Sequence, residues 1–411
     1  MSRSYIEAKT HQSKYWKGKP VMKLSDRATT VREIKKDTDM EKFKRPTETN
    51  LPTGYTWGVI DVCDSEKMQV VCDLLNQHYR RGSESEYIVK YDPDRISWEM
   101  CHKGYFLTVN DQSGNPVGVI GFTYRTLQLE EQRYSVVEPM YMCCEKKYRG
   151  TGIAKVLMDE TVRRSTLTGI NKGVFCTNVI VSKPIATIRQ YSRPLNYKKL
   201  REHDFIDIAG VDDDDAHAKT KINLKPNKKY VVAKKTDENV NIVYDLYKKF
   251  MSTFNVSAVL TKIEVENYMF DEKYVKTLLV YDEEGDKPVD FITYNFYDII
   301  DTNKTAGEDN VIKVANILMY SSNCVRPDLL MINVLKQISY DKIHIVYLND
   351  MMHSNEAILS NVKNGDEDTD DDERGAAYDM NLIRTRRKTF LNLFNIESGV
   401  YKQTMVSWLI F

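Results

Sequence analysis

Apolar and polar positions along this chain change rhythm from segment to segment. From Ser65 to Tyr79 the apolar residues recur at the three-to-four spacing of an amphipathic helix. Tyr105–Val109 and Pro116–Tyr124 read as two strands of a hairpin closed by Asp111-Gln112-Ser113-Gly114-Asn115. The apolar run from Val136 to Cys144 predicts a buried strand. A basic, glycine-bearing turn follows from Lys146 to Gly152. A helical pattern then opens near Ile153 and continues through Val156, Leu157 and Val162. Another apolar strand is expected at Val174–Val181, broken by Lys183-Pro184. A short helix is expected to lead from there to Arg193-Pro194-Leu195-Asn196.

The second half repeats part of this order. Residues 277–294, TLLVYDEEGDKPVDFITY, resemble residues 106–124, FLTVNDQSGNPVGVIGFTY: an apolar strand, a loop with acid and glycine, a proline, and a second strand. An amphipathic helix precedes each copy, Val243–Phe254 in the later one, and the repeated order points to duplication. Residues 1–50 are polar and basic apart from an aromatic knot at Lys14-Tyr15-Trp16. The acidic clusters Asp212–Asp215 and Asp366–Glu373 read as solvated loops. Neither an EF-hand spacing nor a helical His pair occurs, so no metal site is expected.

Composition narrows the class. With 411 residues the chain is long enough for two domains, and 42% hydrophobic with 29% charged residues is ordinary for a globular protein. Basic and acidic residues balance at 59 each, so bulk charge does not point to nucleic acid. No apolar stretch approaches the roughly 18 residues of a membrane-spanning helix, and the first residues lack the apolar core of a secretory signal. The seven cysteines include no C-x-x-C pair, which fits a reducing, cytoplasmic setting.

The strand, glycine turn and helix over residues 134–164 are the richest in chemistry. Free backbone N–H groups and the positive end of a helix meet an anion at such a junction. The turn Arg149-Gly150-Thr151-Gly152-Ile153-Ala154 fits the R-x-x-G-x-A pattern with which acyl-CoA-dependent N-acyltransferases hold a pyrophosphate. The glycines admit the phosphates and Arg149 adds charge.

Further segments, in order, resemble the glycylpeptide N-myristoyltransferase family. Ser13-Lys14-Tyr15-Trp16-Lys17-Gly18-Lys19-Pro20-Val21 is similar to Y-K-F-W-x-x-Q-P-V, and Leu51-Pro52-Thr53-Gly54-Tyr55-Thr56-Trp57 to L-P-x-G-F-x-W. Ser182-Lys183-Pro184-Ile185 resembles P-K-P-V. Ser192-Arg193-Pro194-Leu195-Asn196-Tyr197-Lys198-Lys199-Leu200 resembles H-R-S-L-N-P-K-K-L. Glu264-Val265-Glu266 and Val289-Asp290-Phe291 resemble pieces of the family's second half.

The resemblance implies an α+β fold of two fused GNAT-like halves around a continuous mixed sheet with pseudo-two-fold symmetry. It implies an arm at 1–50 contributing to acyl-CoA binding, an acyl-CoA half at 51–200 and a peptide half at 201–411. The implied substrates are myristoyl-CoA, as acyl donor rather than prosthetic cofactor, and proteins with an N-terminal glycine. A cytoplasmic monomer with no nucleic-acid partner is expected.

The family signature E-I-N-F-L-C-V-H-K falls without a gap on residues 138–146. Tyr141 and Met142 would then supply oxyanion N–H groups from a strand bulge. Thioester and CoA contacts fall on Tyr141 to Cys144, including Cys143 and Cys144. Phosphate contacts fall on Arg149, Gly150, Gly152, Ile153 and Ala154, and Lys14, Tyr15 and Trp16 would cover the nucleotide. Tyr79, Arg80 and Tyr91 would line the peptide site. Arg80 and Arg81 stand where relatives carry a hydrophobic residue and an acid.

Several positions depart from the pattern. Met140 and Glu145 replace the signature's Asn and His, and Cys176 replaces a Thr near the amine. Family members take the proton with a terminal carboxylate that lies beyond a late strand ending in N-W. Here Gly399–Trp408 aligns with that strand, and the Phe411 carboxylate is not expected to reach the same place, since a tail spans at most about 3.3–3.6 Å per residue. Glu397 or the neighbourhood of Cys176 is the expected substitute base. The alternatives are a catalytically impaired acyl-CoA-binding or interaction protein, and a short-chain acetyltransferase.

Overall fold

A computed structural model describes residues 15–36, 40, 44, 48–79, 86–205, 229–305, 307–352 and 382–411. The chain divides into two compact units. The first holds residues up to 187 together with 255–259 and 388–402, and the second holds 188–254, 260–387 and 403–411. The chain thus changes unit at 187/188, and two later segments return to the first unit.

In the first unit, strand β1 is Thr56–Asp61 and helix α1 is Ser65–His78, capped by the Asp64 carboxylate accepting from Lys67 N. Helix α2, Pro93–Glu99, has an Asp92 cap and proline in its first turn. Strands β2 (Tyr105–Asn110), β3 (Pro116–Leu129) and β4 (Gln132–Cys144) follow, then helix α3 (Ile153–Leu167) and strand β5 (Gly173–Thr177). β1 to β4 are antiparallel in the order β1-β2-β3-β4. β5 lies parallel to β4, and residues 390–394 pair antiparallel with β5. Residues of α1 and α2 pack on one side with Phe106, Val119, Tyr141 and Cys143. Ile153 and Leu157 of α3 pack with Leu107, Val109, Val117, Ile120 and Val137.

The strand expected to reach Val181 ends at Thr177. The short helix expected before Arg193 is instead strand β6, Ala186–Pro194. Lys183-Pro184 does break the chain, but Ala186-Thr187-Ile188-Arg189-Gln190 then alternates buried and half-buried positions with period two, which a helix cannot satisfy.

The second unit continues with helices α4 (Tyr197–Glu202), α5 (Asp237–Met251) and α6 (Lys262–Phe270). Next come strands β7 (Val275–Tyr281), β8 (Pro288–Asp301) and β9 (Val311–Tyr320), helix α7 (Pro327–Tyr340) and strand β10 (Ile345–Asn349). β7-β8-β9 is antiparallel, β10 is parallel to β9, and β6 is antiparallel to β10. Helix α5 begins at Asp237 rather than Val243. Thr236 caps Asn239 N, and Asp237 and Glu238 suit the positive helix end.

The run α1-α2-β2-β3-β4-α3-β5 of the first unit has the same order as α5-α6-β7-β8-β9-α7-β10 of the second, two helices, an antiparallel three-strand run, a helix and a parallel strand, the order expected of a duplication. The fold is α+β. Among the described residues, no helix is long and apolar enough to cross a membrane.

Candidate functional site

The site grows from an irregularity in β4. Its ladder with β3 pairs Cys143 with Val119 and Met140 with Gly121, so Tyr141 and Met142 together oppose Ile120. This is a β-bulge, and Tyr141 takes the left-handed conformation at φ 51°. The bulge also inverts the alternation of side chains. Val137 packs with α3, and an unbroken strand would send Tyr141 the same way. Instead Tyr141 and Cys143 pack with α1 and α2, while Met142 is exposed. Two successive backbone N–H groups therefore leave the β3–β4 register, which is what a pair of oxyanion donors requires.

Next to the bulge the sheet opens. Val137 and Gly173 are the one residue pair joining β4 to β5, although β4 runs on to Cys144 and β5 to Thr177. Gly173 permits the approach at that pair, since a Cβ there would lie 3.1 Å from Val137 O.

Beyond β4 the chain reaches the glycine turn. Gly150 and Gly152 have φ of 84° and 95°, and a Cβ on either would meet nothing within 4 Å. Gly152 precedes α3 with no side-chain cap, so the helix's first N–H groups have no capping side chain to accept from them. Arg149 does not reach freely into this turn. Its Nη2 donates to His78 O at 2.6 Å and its Nε to Cys144 O at 3.3 Å, tying the end of α1 to the end of β4. Cys143 and Cys144 are not thiolate nucleophiles. Burial pushes the Cys143 thiol up to about 12 and raises Cys144 too, with Arg149 opposing the rise.

The duplicated half supplies an internal contrast. In the hairpin alignment Pro116-Val117-Gly118 matches Pro288-Val289-Asp290. The buried Asp290 carboxylate accepts from the backbone N–H groups of Asn323, Cys324 and Val325 at 2.6, 2.8 and 2.7 Å, and from Ser321 Oγ at 2.9 Å. The turn before α7 is thus filled by the protein's own anion, and Pro327 opens the helix. At the matching position Gly118 has no side chain, and Ile153 of α3 occupies the space its Cβ would take. Among the described residues, no side-chain carboxylate is hydrogen-bonded to the backbone of the turn before α3. Sequence reasoning did not single out Gly118 or Gly173; the signal for Gly118 was its alignment with Asp290.

The aromatic knot closes on this unit. Trp16 stacks flat on Phe175 with centroids 5.1 Å apart, and Tyr15 Oη donates to Asp159 of α3 at 3.0 Å. Burial, reinforced by Asp159, raises the Tyr15 phenol well above its usual range. Tyr79 and Tyr91 meet the bulge, their centroids 6.2 and 5.7 Å from that of Tyr141. Asn76 fixes Tyr91 by accepting from its N–H and donating to its carbonyl. Cys176 is exposed on β5. Glu397 is ion-paired with Arg32, so it serves to anchor the arm rather than standing ready as a base. Phe411 belongs to the second unit, its ring 5.6 Å from that of Tyr268. Lys14, Arg80 and Arg81 lie outside the described residues, as do both acidic clusters. Among the described residues no cluster of His, Cys, Asp and Glu has the makings of a metal site.

Residues 33–188 match the family model described as myristoyl-CoA:protein N-myristoyltransferase, N-terminal domain. The Bos taurus glycylpeptide N-tetradecanoyltransferase 2 is 25% identical over 308 residues, covering 71% of this chain and 59% of the bovine protein. The Aspergillus fumigatus glycylpeptide N-tetradecanoyltransferase is 24% identical over 373 residues, 86% of this chain and 75% of that protein. The chain thus spans about three-fifths of the length of the bovine and Danio rerio relatives it matches. A structure of Saccharomyces cerevisiae N-myristoyltransferase with bound myristoyl-CoA shares the fold, with a TM-score of 0.81 at 18% identity over 96% of this chain and 90% of that one.

Proposed function

We propose that the chain is a member of the N-myristoyltransferase family and that it transfers a tetradecanoyl group from myristoyl-CoA to the N-terminal glycine amine of proteins, as a cytoplasmic monomer. The observation that carries this reading is the bulge at Tyr141–Met142, set between an opened sheet and an uncapped glycine turn.

In this reading the pyrophosphate of the acyl donor lies on the backbone of Gly150, Gly152, Ile153 and Ala154, within reach of Arg149. Tyr15 and Trp16 cover the nucleotide end, and Cys143 and Cys144 flank the pantetheine. The thioester carbonyl points its oxygen at the N–H groups of Tyr141 and Met142. The glycine nitrogen attacks the carbonyl carbon, the oxygen takes negative charge, and the N–H groups stabilise it. Collapse forms the amide and breaks the C–S bond; the attacking nitrogen gives up its second proton, which the departing sulfur takes, so CoA is released as the thiol. The amine must first lose a proton, because an α-amine of pKa roughly 7.7–8.0 is mostly protonated at neutral pH. In this reading the amine approaches Cys176, exposed on β5, and Tyr79 and Tyr91 receive the peptide.

The experiment is a turnover assay with a glycine-initiated peptide and either myristoyl-CoA or acetyl-CoA. Acylated peptide and free CoA should form in equal amounts from myristoyl-CoA alone. Turnover of acetyl-CoA in preference would make the protein a short-chain acetyltransferase. Tight myristoyl-CoA binding without turnover would make it an acyl-CoA-binding protein.

A further inference from the structure

Tyr141 carries a group that its backbone role does not use. Its side chain is more than nine-tenths buried, and its hydroxyl has no hydrogen-bond partner among the described residues. The matching position of the family signature is phenylalanine, so the hydroxyl is this chain's own. Leaving a buried hydroxyl unsatisfied costs about 1–3 kcal/mol, so its place in the site calls for a partner supplied on binding. The surroundings indicate which substrate supplies it. The bulge turns the Tyr141 ring toward α1 and α2, away from α3, whose glycine turn faces the acyl donor's phosphates. On that side the ring packs between Tyr79 and Tyr91, with Phe106 stacked beneath it.

We propose that the Tyr141 hydroxyl is a specificity-determining donor to a hydrogen-bond acceptor, a backbone carbonyl or side-chain oxygen, in the first residues of the acceptor peptide. The inference rests on the transferase reading and extends it to peptide recognition. Tyr141→Phe keeps the ring and both bulge N–H groups and removes only the oxygen.

The test measures Tyr141→Phe against the parent in three ways: kcat/KM for a glycine-initiated octapeptide, KM for myristoyl-CoA, and the thermal midpoint. The expected result is a fall of about 2–12-fold in peptide kcat/KM, the loss of one neutral hydrogen bond. KM for myristoyl-CoA should stay within about twofold, and the midpoint should be unchanged or higher, because the buried unsatisfied group is gone. This opposition of sign separates recognition from a structural role, which would lower stability and activity together. Unchanged peptide kinetics would overturn the inference, as would a fall in stability or an equal loss for both substrates. A parent that neither turns over nor binds the octapeptide in a titration would refute the transferase reading itself, and the inference with it.

Discussion

Replacing Gly118 with alanine tests how the phosphate turn is held. The added Cβ would sit 2.5 Å from Ile153 Cγ2, 3.3 Å from Leu157 Cδ1 and 3.4 Å from Cys144 Sγ. Ordinary contact begins at 3.4 Å, so the first turn of α3 must retreat by 3.4 − 2.5 = 0.9 Å. Ile153 cannot swing clear cheaply, because Cγ2 is attached directly to its branched Cβ and the rotamer of a helical isoleucine is nearly fixed. Overpacking of this kind costs about 1–3 kcal/mol, against which the alanine returns roughly 0.4–1 kcal/mol through the unfolded chain. The net loss, about 1.3 kcal/mol at the middle of these ranges and at most about 2.6, should lower the thermal midpoint by roughly 3–5 °C at mid-range. Moving the N–H groups of Ile153 and Ala154 should also weaken at least one charge-assisted hydrogen bond to the acyl donor's phosphates. Each is worth about 1.5–3 kcal/mol, so myristoyl-CoA should bind roughly 10–100-fold less tightly. The assays are thermal denaturation and isothermal titration with myristoyl-CoA. Parent-like stability would refute the packing argument, and parent-like affinity in a destabilised variant would refute the placement of the phosphates.

Asp290→Ala should destabilise the second unit by at least about 3 kcal/mol in urea denaturation, since three backbone N–H groups and a hydroxyl lose their acceptor at roughly 1–3 kcal/mol each. Burial opposes ionisation of Glu160, but hydrogen bonds from Arg163, Thr49 N–H and Arg164 outweigh it and hold the carboxyl down at about 2. A depressed acid stabilises the fold above its unfolded value and stops doing so as pH falls through its folded one. Glu160→Gln should therefore flatten the stability curve between about pH 4.5 and pH 2. His344 is pushed down from 6.5 to about 4, first by burial and then by Lys199 and Lys313, and its Nδ1 accepts from Lys313 N. The unfolded chain takes that proton first, so stability should fall as pH drops from 6.5 toward 4, and His344→Gln should remove this slope in chemical denaturation at stepped pH.

The hairpins, the helix at Ser65 and the helix at Ile153 were legible because their apolar spacing is local and periodic. The phase of β4 was not, because Val136 to Cys144 is apolar almost throughout, so both faces look alike until the ladder shows the bulge. Aligning the two hairpins set Gly118 against Asp290. What each does depends on a third element, α3 in one case and the turn before α7 in the other. The contacts of Arg149 were equally hidden, for its acceptors lie on another helix and at a strand end. The strand at Ala186–Pro194 is hidden in the sequence because the break at Lys183-Pro184 resembles a helix start, and the period-two alternation after it is short.

The central claim is that the N–H groups of Tyr141 and Met142 receive the thioester oxygen. A crystal structure with the ketone analogue of myristoyl-CoA, in which a methylene replaces the sulfur, tests it directly. The account predicts the ketone oxygen about 2.7–3.2 Å from one or both of these nitrogens, with the pyrophosphate at Gly150 to Ala154. A ketone oxygen bonded elsewhere, with the bulge N–H groups unengaged, would contradict it.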